Sequence, residues 1–470
     1  MPMKYVDVVV PLPVNGTFTY AVPAKWEEKV RIGMRVVVPF GNKKLYTGII
    51  TLIHTLQPSL YEAREIVEPL DESPVLRRPQ YKFWEWISDY YMCTVGEVYQ
   101  AAVPSGLKLE SETEVRIDPD FESLLPLNDK EQSLLDALSD EKPHSIAEIS
   151  KTTGILHVMP IVRSLMEKEA VVVNEFLTEK FRPKTDSFLR LSEKFSGEED
   201  LKALFDRLSR APKQLELLMR YIDLSGCLRN EQPAEIQKKD FISKCNAGSG
   251  VINAMVAKGI FEIYSKEVGR LSDGAHETTG ASKLNIFQEE ALRFVEKQFI
   301  EKPVVLLHGV TSSGKTELYI HLINKILAEG RQVLYLVPEI ALTTQLATRL
   351  KRVFGHKLGV YHSKFSDAER VEIWNNVLND TSYEVILGVR SSIFLPFRHL
   401  GLIIVDEEHE PSFKQYDPNP RYHARNAAIM LASMHGAKTL LGTATPSIES
   451  YFNAQSGKYG LVELHQRHEE

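Results

Sequence analysis

A glycine-bounded loop between an apolar strand and a helix places the strongest constraint on what this chain can fold into. Residues 304–316 read V-V-L-L-H-G-V-T-S-S-G-K-T, which fits G-x-x-x-x-G-K-[ST] in the strand–loop–helix context that this pattern requires. Glycines let the backbone turn tightly, so that successive N–H groups and the helix start face an anion. We therefore predict that the loop binds a nucleoside triphosphate. The residues expected to contact it are Gly309, Thr311, Ser312, Ser313, Gly314, Lys315 and Thr316.

Adjacent carboxylates after a second apolar strand are predicted to complete the same site. The strand L-I-I-V at 402–405 leads directly into D-E-E-H. We expect Lys315 to reach the outer phosphates, and Asp406 to hold Mg²⁺ together with Thr316. Glu407 is then suited to orient and deprotonate the attacking water. An amide also precedes the loop: Gln288 can both donate to and accept from adenine, although its position alone fits an ordinary surface glutamine equally well.

Strands and helices alternate from residue 284 onward, which predicts a parallel sheet with helices on both faces. Ligands bind beyond the carboxyl ends of such strands. Polar loops fall there at 339–345, 362–363 and 388–392, and they suit contact with the phosphates of a nucleic-acid strand without base readout. The candidate residues in the last two are His362, Ser363, Arg390 and Ser391. A fourth loop, G-T-A-T-P-S at 442–447, is placed to couple nucleotide state to strand binding.

Aromatic and basic residues interleave directly after the acidic cluster. Aromatic rings can stack on bases, at ~1–3 kcal/mol per base, while neighbouring cations hold phosphates. The predicted DNA contacts in this segment are Phe413, Lys414, Tyr416, Arg421, Tyr422 and Arg425. Because the segment adjoins the carboxylates, it is also expected to report DNA occupancy to the nucleotide site.

The first hundred residues predict a separate small domain. Short β-branched runs between turn signals, such as Asn15-Gly16, favour a partly open β-barrel over residues 5–54. A helix rich in aromatic residues follows from residue 79, and most of those rings are expected to be core. Residues 1–105 contain 11 Lys or Arg and 11 Asp or Glu. This neutral charge balance favours a pocket for a specific nucleic-acid feature over a surface that grips the backbone.

The middle of the chain predicts two winged-helix-like units. In residues 107–180, three helices precede a strand at 170–173, and Ser145 and Glu148 stand at capping-box spacing. A fainter copy of the same order occupies residues 181–265. Both units are poor in Arg and Lys where a recognition helix would lie, so duplex binding and a spacer or protein-contact role stay equally open. Residues 266–283 are predicted to be a linker.

Composition sets further bounds on the class of protein. The 470 residues are 43% apolar and 25% charged, with a net charge of −7, which fits several globular domains and gives no global nucleic-acid signature. Three widely separated cysteines exclude a disulfide framework and a C-x-x-C metal site, which favours a reducing cytoplasm. Neither a signal peptide nor an apolar run long enough to span a bilayer is evident.

Taken in order, these motifs resemble those of superfamily 2 helicases. Three stretches, P-E-I-A-L-T, G-V-R-S-S-I-F-L-P and S-F-K-Q-Y-D-P-N-P-R-Y-H-A-R, resemble the replication-restart branch, the primosomal protein N′ family. The resemblance implies a RecA-like motor lobe over 284–470 and a 3′-DNA-end-binding domain over 1–106. It implies that Gln288 reads adenine, and that Phe18, Gly33 and Arg64 line the pocket for the DNA end. Thr19 departs from the aspartate that is common in the family.

The resemblance also implies a function and a set of partners. We expect an ATP-dependent 3′-to-5′ DNA helicase that binds stalled forks with a nascent 3′ end, and single-stranded DNA, and that initiates primosome assembly. Single-stranded-DNA-binding protein and other primosome proteins are the implied protein partners. The family continues with a zinc-binding insertion and a second motor lobe. The chain is therefore expected to be an N-terminal fragment, weakly active alone and without zinc ligands. The alternatives are a non-catalytic fork-binding adaptor that uses ATP as a switch, and an RNA helicase.

Overall fold

The chain divides into two units, one formed by Met1–Phe181 together with Asp273–Glu470, the other by Arg182–Ser272. The computed structural model describes residues 3–41, 44–59, 61–108, 110–118, 127–139, 142–155, 158–168, 170–178, 185–195, 198–227, 234–245, 249–267, 278–310, 313–362 and 365–465. Thr311, Ser312, Ser363 and most of the predicted linker lie outside these residues. The architecture is the predicted multidomain α/β. Over the described residues, no helix is long and apolar enough to cross a membrane.

Five antiparallel strands curl into a small barrel at the start of the first unit, as predicted. They are β1 (Tyr5–Val9), β2 (Phe18–Ala21), β3 (Arg35–Phe40), β4 (Lys44–His54) and β5 (Glu68–Pro69), in the order β2-β1-β4-β3-β5. The sheet closes because the segment before β5 returns to β2. There the Ala21 amide donates to Arg64 O at 2.9 Å, and the Ile66 amide donates to Ala21 O at 3.0 Å.

Two helices, α1 (Arg78–Tyr91) and α2 (Val95–Ala102), follow the barrel. A capping box begins α2, in which the Glu97 amide donates to Thr94 Oγ1 at 3.2 Å. The rings of Trp84 and Tyr99 stack with centroids 5.8 Å apart, and both side chains are fully buried. Burying side chains of this size contributes roughly 1.5–3 kcal/mol each, which fixes the two helices against each other.

A winged-helix arrangement completes the N-terminal part of the first unit. Its elements are β6 (Glu110–Ile117), α3 (Asp129–Ala137), β7 (His144–Ser145), α4 (Ile146–Thr153), α5 (Met159–Glu167) and β8 (Val171–Thr178). The predicted capping box is present, since the Glu148 amide donates to Ser145 Oγ at 3.2 Å. Strand β6, which pairs antiparallel with β8 along its whole length, is an addition to the predicted elements. Its alternating glutamates hide it from a search for apolar runs.

The second unit has its own core and sheet. It contains β9 (Thr185–Leu191), α6 (Glu198–Leu208), α7 (Pro212–Ser225), β10 (Ile236–Gln237), α8 (Lys238–Lys244), α9 (Ser249–Ala257) and β11 (Phe261–Glu267). The strands form a sheet in the order β10-β9-β11. Leu218, Phe241 and Ile252 are among its fully buried residues. Helices followed by an antiparallel strand thus recur here, as the sequence repeat predicted.

The remainder of the first unit is a seven-stranded parallel sheet covered by helices, as the alternating pattern predicted. Its elements are α10 (Ile286–Glu301), β12 (Val304–Gly309), α11 (Lys315–Ala328), β13 (Gln332–Leu336), α12 (Thr344–Phe354), β14 (Leu358–Tyr361), α13 (Asp367–Leu378), β15 (Val385–Gly388), β16 (Leu400–Asp406), α14 (Ala424–His435), β17 (Lys438–Thr443), α15 (Ile448–Gln455) and β18 (Gly460–Leu464). The strand order is β14-β15-β13-β16-β17-β12-β18. Strand β13 is buried along its whole length, as expected of an inner strand in a parallel sheet that is covered by helices.

Candidate active site

The phosphate loop and the acidic cluster meet at one edge of the parallel sheet. Strand β17 lies between β12 and β16. In the strand register, His308 pairs with Thr443 and Asp406 pairs with Gly442. Because all three strands are parallel, their carboxyl ends and the loops that follow share this edge.

Lys315 begins helix α11 and is largely buried inside the loop. Its ammonium donates to Gly309 O at 2.8 Å and to Val310 O at 3.4 Å. The predicted adenine contact needs a correction here. Gln288 is fully buried, its Oε1 accepts from the Asn285 amide at 3.0 Å, and its Nε2 donates to Ser313 O at 3.2 Å. With both ends of its amide bonded to protein, Gln288 supports the phosphate loop in this structure and is not open to a base.

Two buried tyrosines hold the carboxylate of Asp406. Tyr319 donates to Oδ1 at 3.0 Å and Tyr335 donates to Oδ2 at 3.0 Å. Burial raises the pKa of Tyr335 well above its usual value, and the nearby Thr316 side chain acts in the opposite direction. The two residues predicted to hold magnesium therefore both lie beside the Tyr335 hydroxyl.

Electrostatics at Asp406 favour a bound cation. Burial, and after it the neighbouring Glu407, raise the pKa of Asp406, while the two tyrosines and Lys315 lower it. A cation beside this carboxylate would relieve the cost of burying its charge. Magnesium is commonly held by one or two carboxylates together with phosphate oxygens and water. The carboxylate and the Thr316 hydroxyl are oxygen donors of this kind, so the residues present fit Mg²⁺. The described residues contain no group of three or more His, Cys, Asp or Glu that could hold a metal ion.

Glu407 and His409 lie at the open side of the site. Glu407 has a φ of 48°, a left-handed conformation that is costly for a side chain and that clusters at active sites. Its carboxylate is 36% exposed and lies 3.7 Å from His409 Nδ1. The same histidine hydrogen-bonds to Thr443 Oγ1 at 2.8 Å and to Thr445 Oγ1 at 3.3 Å. His409 thus ties the acidic cluster to the G-T-A-T-P-S loop.

Close packing explains the glycine that begins that loop. A Cβ atom built on Gly442 would lie 1.8 Å from the Tyr319 hydroxyl. No side chain fits there while Tyr319 bonds to Asp406.

The third acidic residue of the cluster, Glu408, forms a buried ion pair. It is fully buried, and its Oε2 accepts from Arg425 Nη1 at 2.7 Å. Its other oxygen accepts from the Ser447 amide at 2.7 Å. Arg425 is only 8% exposed, so the prediction that it contacts DNA is wrong for this structure. Its charge is used to join the acidic cluster to the segment that follows.

Burial also corrects part of the predicted aromatic surface. Phe413 and Tyr422 are each 1% exposed, so neither ring is available for base stacking. Tyr422 packs edge-on against Phe394, with centroids 5.2 Å apart. Tyr416 is 69% exposed and Arg421 is exposed, so these two remain predicted DNA contacts. Lys414 is half-buried and donates to the carbonyl of Arg421.

The other predicted strand contacts lie on the same sheet edge. Arg390 is half-buried, donates to Ser412 O at 3.2 Å and lies 3.9 Å from Glu339. Ser391 is half-buried beside it. His362 follows β14, and its ring lies 3.9 Å from that of Phe365, centroid to centroid. These side chains are at the expected edge, and their contact with DNA stays a prediction.

In the first domain, two of the three predicted pocket residues lie together. The rings of Phe18 and Phe40 pack edge-on at 4.9 Å, and Arg64 Nη1 donates to Gly41 O at 2.7 Å, so both residues lie at the end of β3. Gly33 precedes the start of β3, where its backbone amide donates to Ile50 O at 2.7 Å. It has a φ of 87°, and a Cβ there would lie 2.1 Å from Leu76 O. Gly33 therefore serves close backbone packing, and its place in the pocket stays a prediction.

Sequence reasoning missed Tyr319, Tyr335 and the role of Glu408. Tyr319 stands three residues after Thr316, near the open edge of the sheet, and this spacing was the available signal. Tyr335 looked like one more residue of a buried strand. Glu408 was visible in the D-E-E-H motif, but nothing local indicates an arginine seventeen residues later.

Comparison with known families agrees with this geometry. Residues 286–453 match the DEAD/DEAH box helicase family, and residues 7–104 match a 3′DNA-binding domain, 3′BD, of PriA. Residues 112–176 match a winged helix domain, and residues 186–268 match the winged helix domain of PriA helicase from Bacteroidota. The fold and the site thus define a DEAD/DEAH-type helicase motor lobe preceded by DNA-binding and winged-helix domains.

Curated relatives narrow that class to one family. Replication restart protein PriA of Bacillus subtilis is 30% identical over 99% of this chain and 56% of its own length. The Haemophilus influenzae protein of the same name is 31% identical over 99% of this chain and 52% of its length. The chain belongs to the PriA family. It spans about half the length of the curated relatives that it matches. A crystal structure of the DUF1998 helicase MrfA bound to DNA is 18% identical over 39% of this chain and 27% of its own, with a TM-score of 0.30.

Proposed function

We propose that this chain supplies the ATP-binding lobe and the fork-recognition domains of an ATP-dependent 3′-to-5′ DNA helicase. The whole protein would recognise stalled or abandoned replication forks and initiate primosome assembly for replication restart. The observation that carries the proposal is the meeting of Lys315, Thr316 and Asp406 at neighbouring strand ends. The match of residues 7–104 to a 3′DNA-binding domain supports the choice of DNA over RNA.

The residues at the sheet edge fit the first half of a phosphoryl-transfer site. Lys315 would stabilise the outer phosphates, and Thr316 and Asp406 would hold Mg²⁺, which when bound neutralises charge on the phosphates. Glu407, half-exposed beside Asp406, would orient the attacking water and accept its proton. His409 would pass the state of this site to the G-T-A-T-P-S loop through its two threonine contacts.

Forked DNA with a nascent 3′ end is the proposed substrate, together with the single strand on which the motor moves. In the motor lobe we propose contacts through His362, Arg390, Ser391 and the exposed residues Tyr416 and Arg421. In the first domain, Phe18 and Arg64 would lie beside the DNA end. Single-stranded-DNA-binding protein and other primosome proteins are proposed partners on the strength of the family alone.

Nucleotide and DNA binding by this chain test the proposal. Lys315→Ala should weaken binding of a fluorescent ATP analogue with Mg²⁺ about 10- to 100-fold, because a charge-assisted hydrogen bond contributes ~1.5–3 kcal/mol. Fluorescence anisotropy should give that variant the same affinity as wild type for a labelled oligonucleotide with a 3′-hydroxyl. In both proteins the affinity should be lower for an oligonucleotide with a 3′-phosphate. Lys325→Ala, on the exposed side of the same helix, is the matched control.

Two results would contradict parts of the proposal. Equal nucleotide affinity in Lys315→Ala and wild type would show that the loop is not part of the ATP site. Equal affinity for the 3′-hydroxyl and 3′-phosphate oligonucleotides would remove the pocket for a DNA end. If the whole protein binds nucleotide and forks without hydrolysis or unwinding, it acts as the adaptor.

A further inference from the structure

Two side chains of the first domain contact the segment that follows the acidic cluster, residues 411–425, here called the coupling loop. Tyr91, at the end of α1, accepts a hydrogen bond from the His423 amide at 3.1 Å. Glu97, in the first turn of α2, accepts from Asn419 Nδ2 at 2.9 Å. The ammonium of Lys414 lies 5.4 Å from the centroid of the Tyr91 ring, which permits a cation–π contact.

These contacts reach an ordered loop. Within it, the Gln415 amide donates to Tyr422 O at 2.9 Å, and Gln415 Nε2 donates to Pro418 O and Pro420 O at 2.9 and 3.0 Å. Burial lowers the pKa of His423 to about 4, and the charge of Arg425 acts in the same direction. His423 is therefore neutral at neutral pH, and its tie to Tyr91 is made by the backbone amide. These hydrogen bonds tie the two arms of the loop to each other.

On the other side, α1 and α2 are fixed to the barrel. Tyr99 of α2 donates to Thr47 O of β4 at 3.0 Å, and Thr51 of the same strand donates to Asp7 O at 3.1 Å. Asp7 Oδ1 in turn accepts from the Thr19 hydroxyl at 2.7 Å, on the strand that carries Phe18. The predicted pocket for a DNA end is thus joined to the helices that hold the coupling loop.

The coupling loop is joined to the nucleotide site by buried groups. Arg425 bonds to the fully buried Glu408 at 2.7 Å, and Glu408 is adjacent in sequence to Glu407. Arg425 Nη1 also donates to Ser447 Oγ at 2.6 Å, in the G-T-A-T-P-S loop. Displacement of the loop would break a buried ion pair, so its position and the arrangement of the acidic cluster must change together.

From these contacts we propose that Tyr91 and Glu97 are positioning residues that couple occupancy of the first domain to nucleotide binding by the motor. A strand with a 3′-hydroxyl end in the first domain would shift α1 and α2, and with them the coupling loop and the acidic cluster. The inference rests on the proposed function, since it assumes that both ligands bind. By linkage, bound nucleotide must change the affinity for the DNA end by the same factor.

The test measures that factor in the full chain. The probe is a 5′-labelled oligonucleotide with a 3′-hydroxyl, whose dissociation constant is measured by anisotropy with and without saturating Mg²⁺ and a non-hydrolysable ATP analogue. In wild type, the dissociation constant for the oligonucleotide should change about fivefold or more when the analogue is added, which is the lower end of ordinary coupling between sites. Tyr91→Phe and Asn419→Ala should each reduce this change. In the double variant, the dissociation constants with and without the analogue should differ by no more than about twofold. Each ligand alone should bind these variants as it binds wild type.

Controls separate a loss of coupling from a loss of structure. Tyr90→Phe removes a hydroxyl from the neighbouring exposed ring and should leave the change intact. Thermal unfolding of Tyr91→Phe, which keeps the ring, should remain close to that of wild type. Wild type that binds both ligands independently would overturn the inference, as would coupling that survives in the double variant. Wild type that binds neither ligand would instead refute the proposed function.

Discussion

Replacing Tyr335 by Phe should weaken the affinity of the nucleotide site for Mg²⁺ about 10- to 100-fold, the usual cost of removing a group that orients a metal ligand. Its hydroxyl donates to Asp406 Oδ2 at 3.0 Å, and the Thr316 side chain lies beside it. The substitution keeps the buried ring and removes only the hydroxyl that bonds to Asp406. A hydrogen bond to a charged group contributes ~1.5–3 kcal/mol, which corresponds to a similar range of fold-change.

The measurement is a Mg²⁺ titration of a fluorescent ATP analogue bound to the variant and to wild type. Tyr99→Phe is the matched control, because it removes a buried hydroxyl, bonded to Thr47 O at 3.0 Å, in the first domain. That control should lose stability without a change in Mg²⁺ dependence. Nucleotide binding by Asp406→Asn should no longer depend on Mg²⁺. If Tyr335→Phe titrates like wild type while Asp406→Asn does not, the tyrosine does not set the geometry of the site.

Two further predictions concern stability. The Lys168 ammonium, then the Asn128 amide and Ser164, lower the pKa of Glu131 to about 2. The ionised Glu131 therefore adds up to roughly 3 kcal/mol to the free energy of unfolding above pH 4.5, and this contribution is lost as the pH falls toward 2. Thermal unfolding from pH 6 to 3 should show that Glu131→Gln costs less as the pH falls, and a constant cost would contradict this. Arg425→Ala should destabilise the protein by about 3–5 kcal/mol in denaturant unfolding, because it leaves Glu408 buried and unpaired. Arg190→Ala, at an exposed pair, should cost under about 1 kcal/mol, and equal costs would refute the argument.

Local patterns predicted the motor sheet and the phosphate loop because their signals lie within one strand and its next turn. The apolar strands β12, β13, β16 and β17 were each visible as short runs followed by polar loops. Strand β6 was not, since glutamate occupies every second position of its first half and its pairing with β8 joins positions about sixty apart. Such long-range pairing has no local signal.

Residue type predicted chemistry better than it predicted exposure. Phe413 and Tyr422 stand between basic residues, a pattern typical of base stacking, yet tertiary packing buries both. Gln288 can bind a base in principle, but its capping role and its bond to Ser313 O occupy the amide. The contact of Tyr91 with His423 joins residues 332 positions apart and depends on how the first domain docks on the motor lobe.

The packing of Tyr319 against Gly442 makes the history of these two positions interdependent. While the tyrosine is present, any side chain at position 442 would clash with its hydroxyl, because a Cβ atom there would lie only 1.8 Å from the hydroxyl oxygen. With phenylalanine at 319 the nearest ring atom would be 2.9 Å away, which a small shift of the ring can relieve. Substitutions at the two positions can therefore accumulate in one order only, first at 319 and then at 442. A descendant that has taken both steps cannot regain the tyrosine without first restoring the glycine.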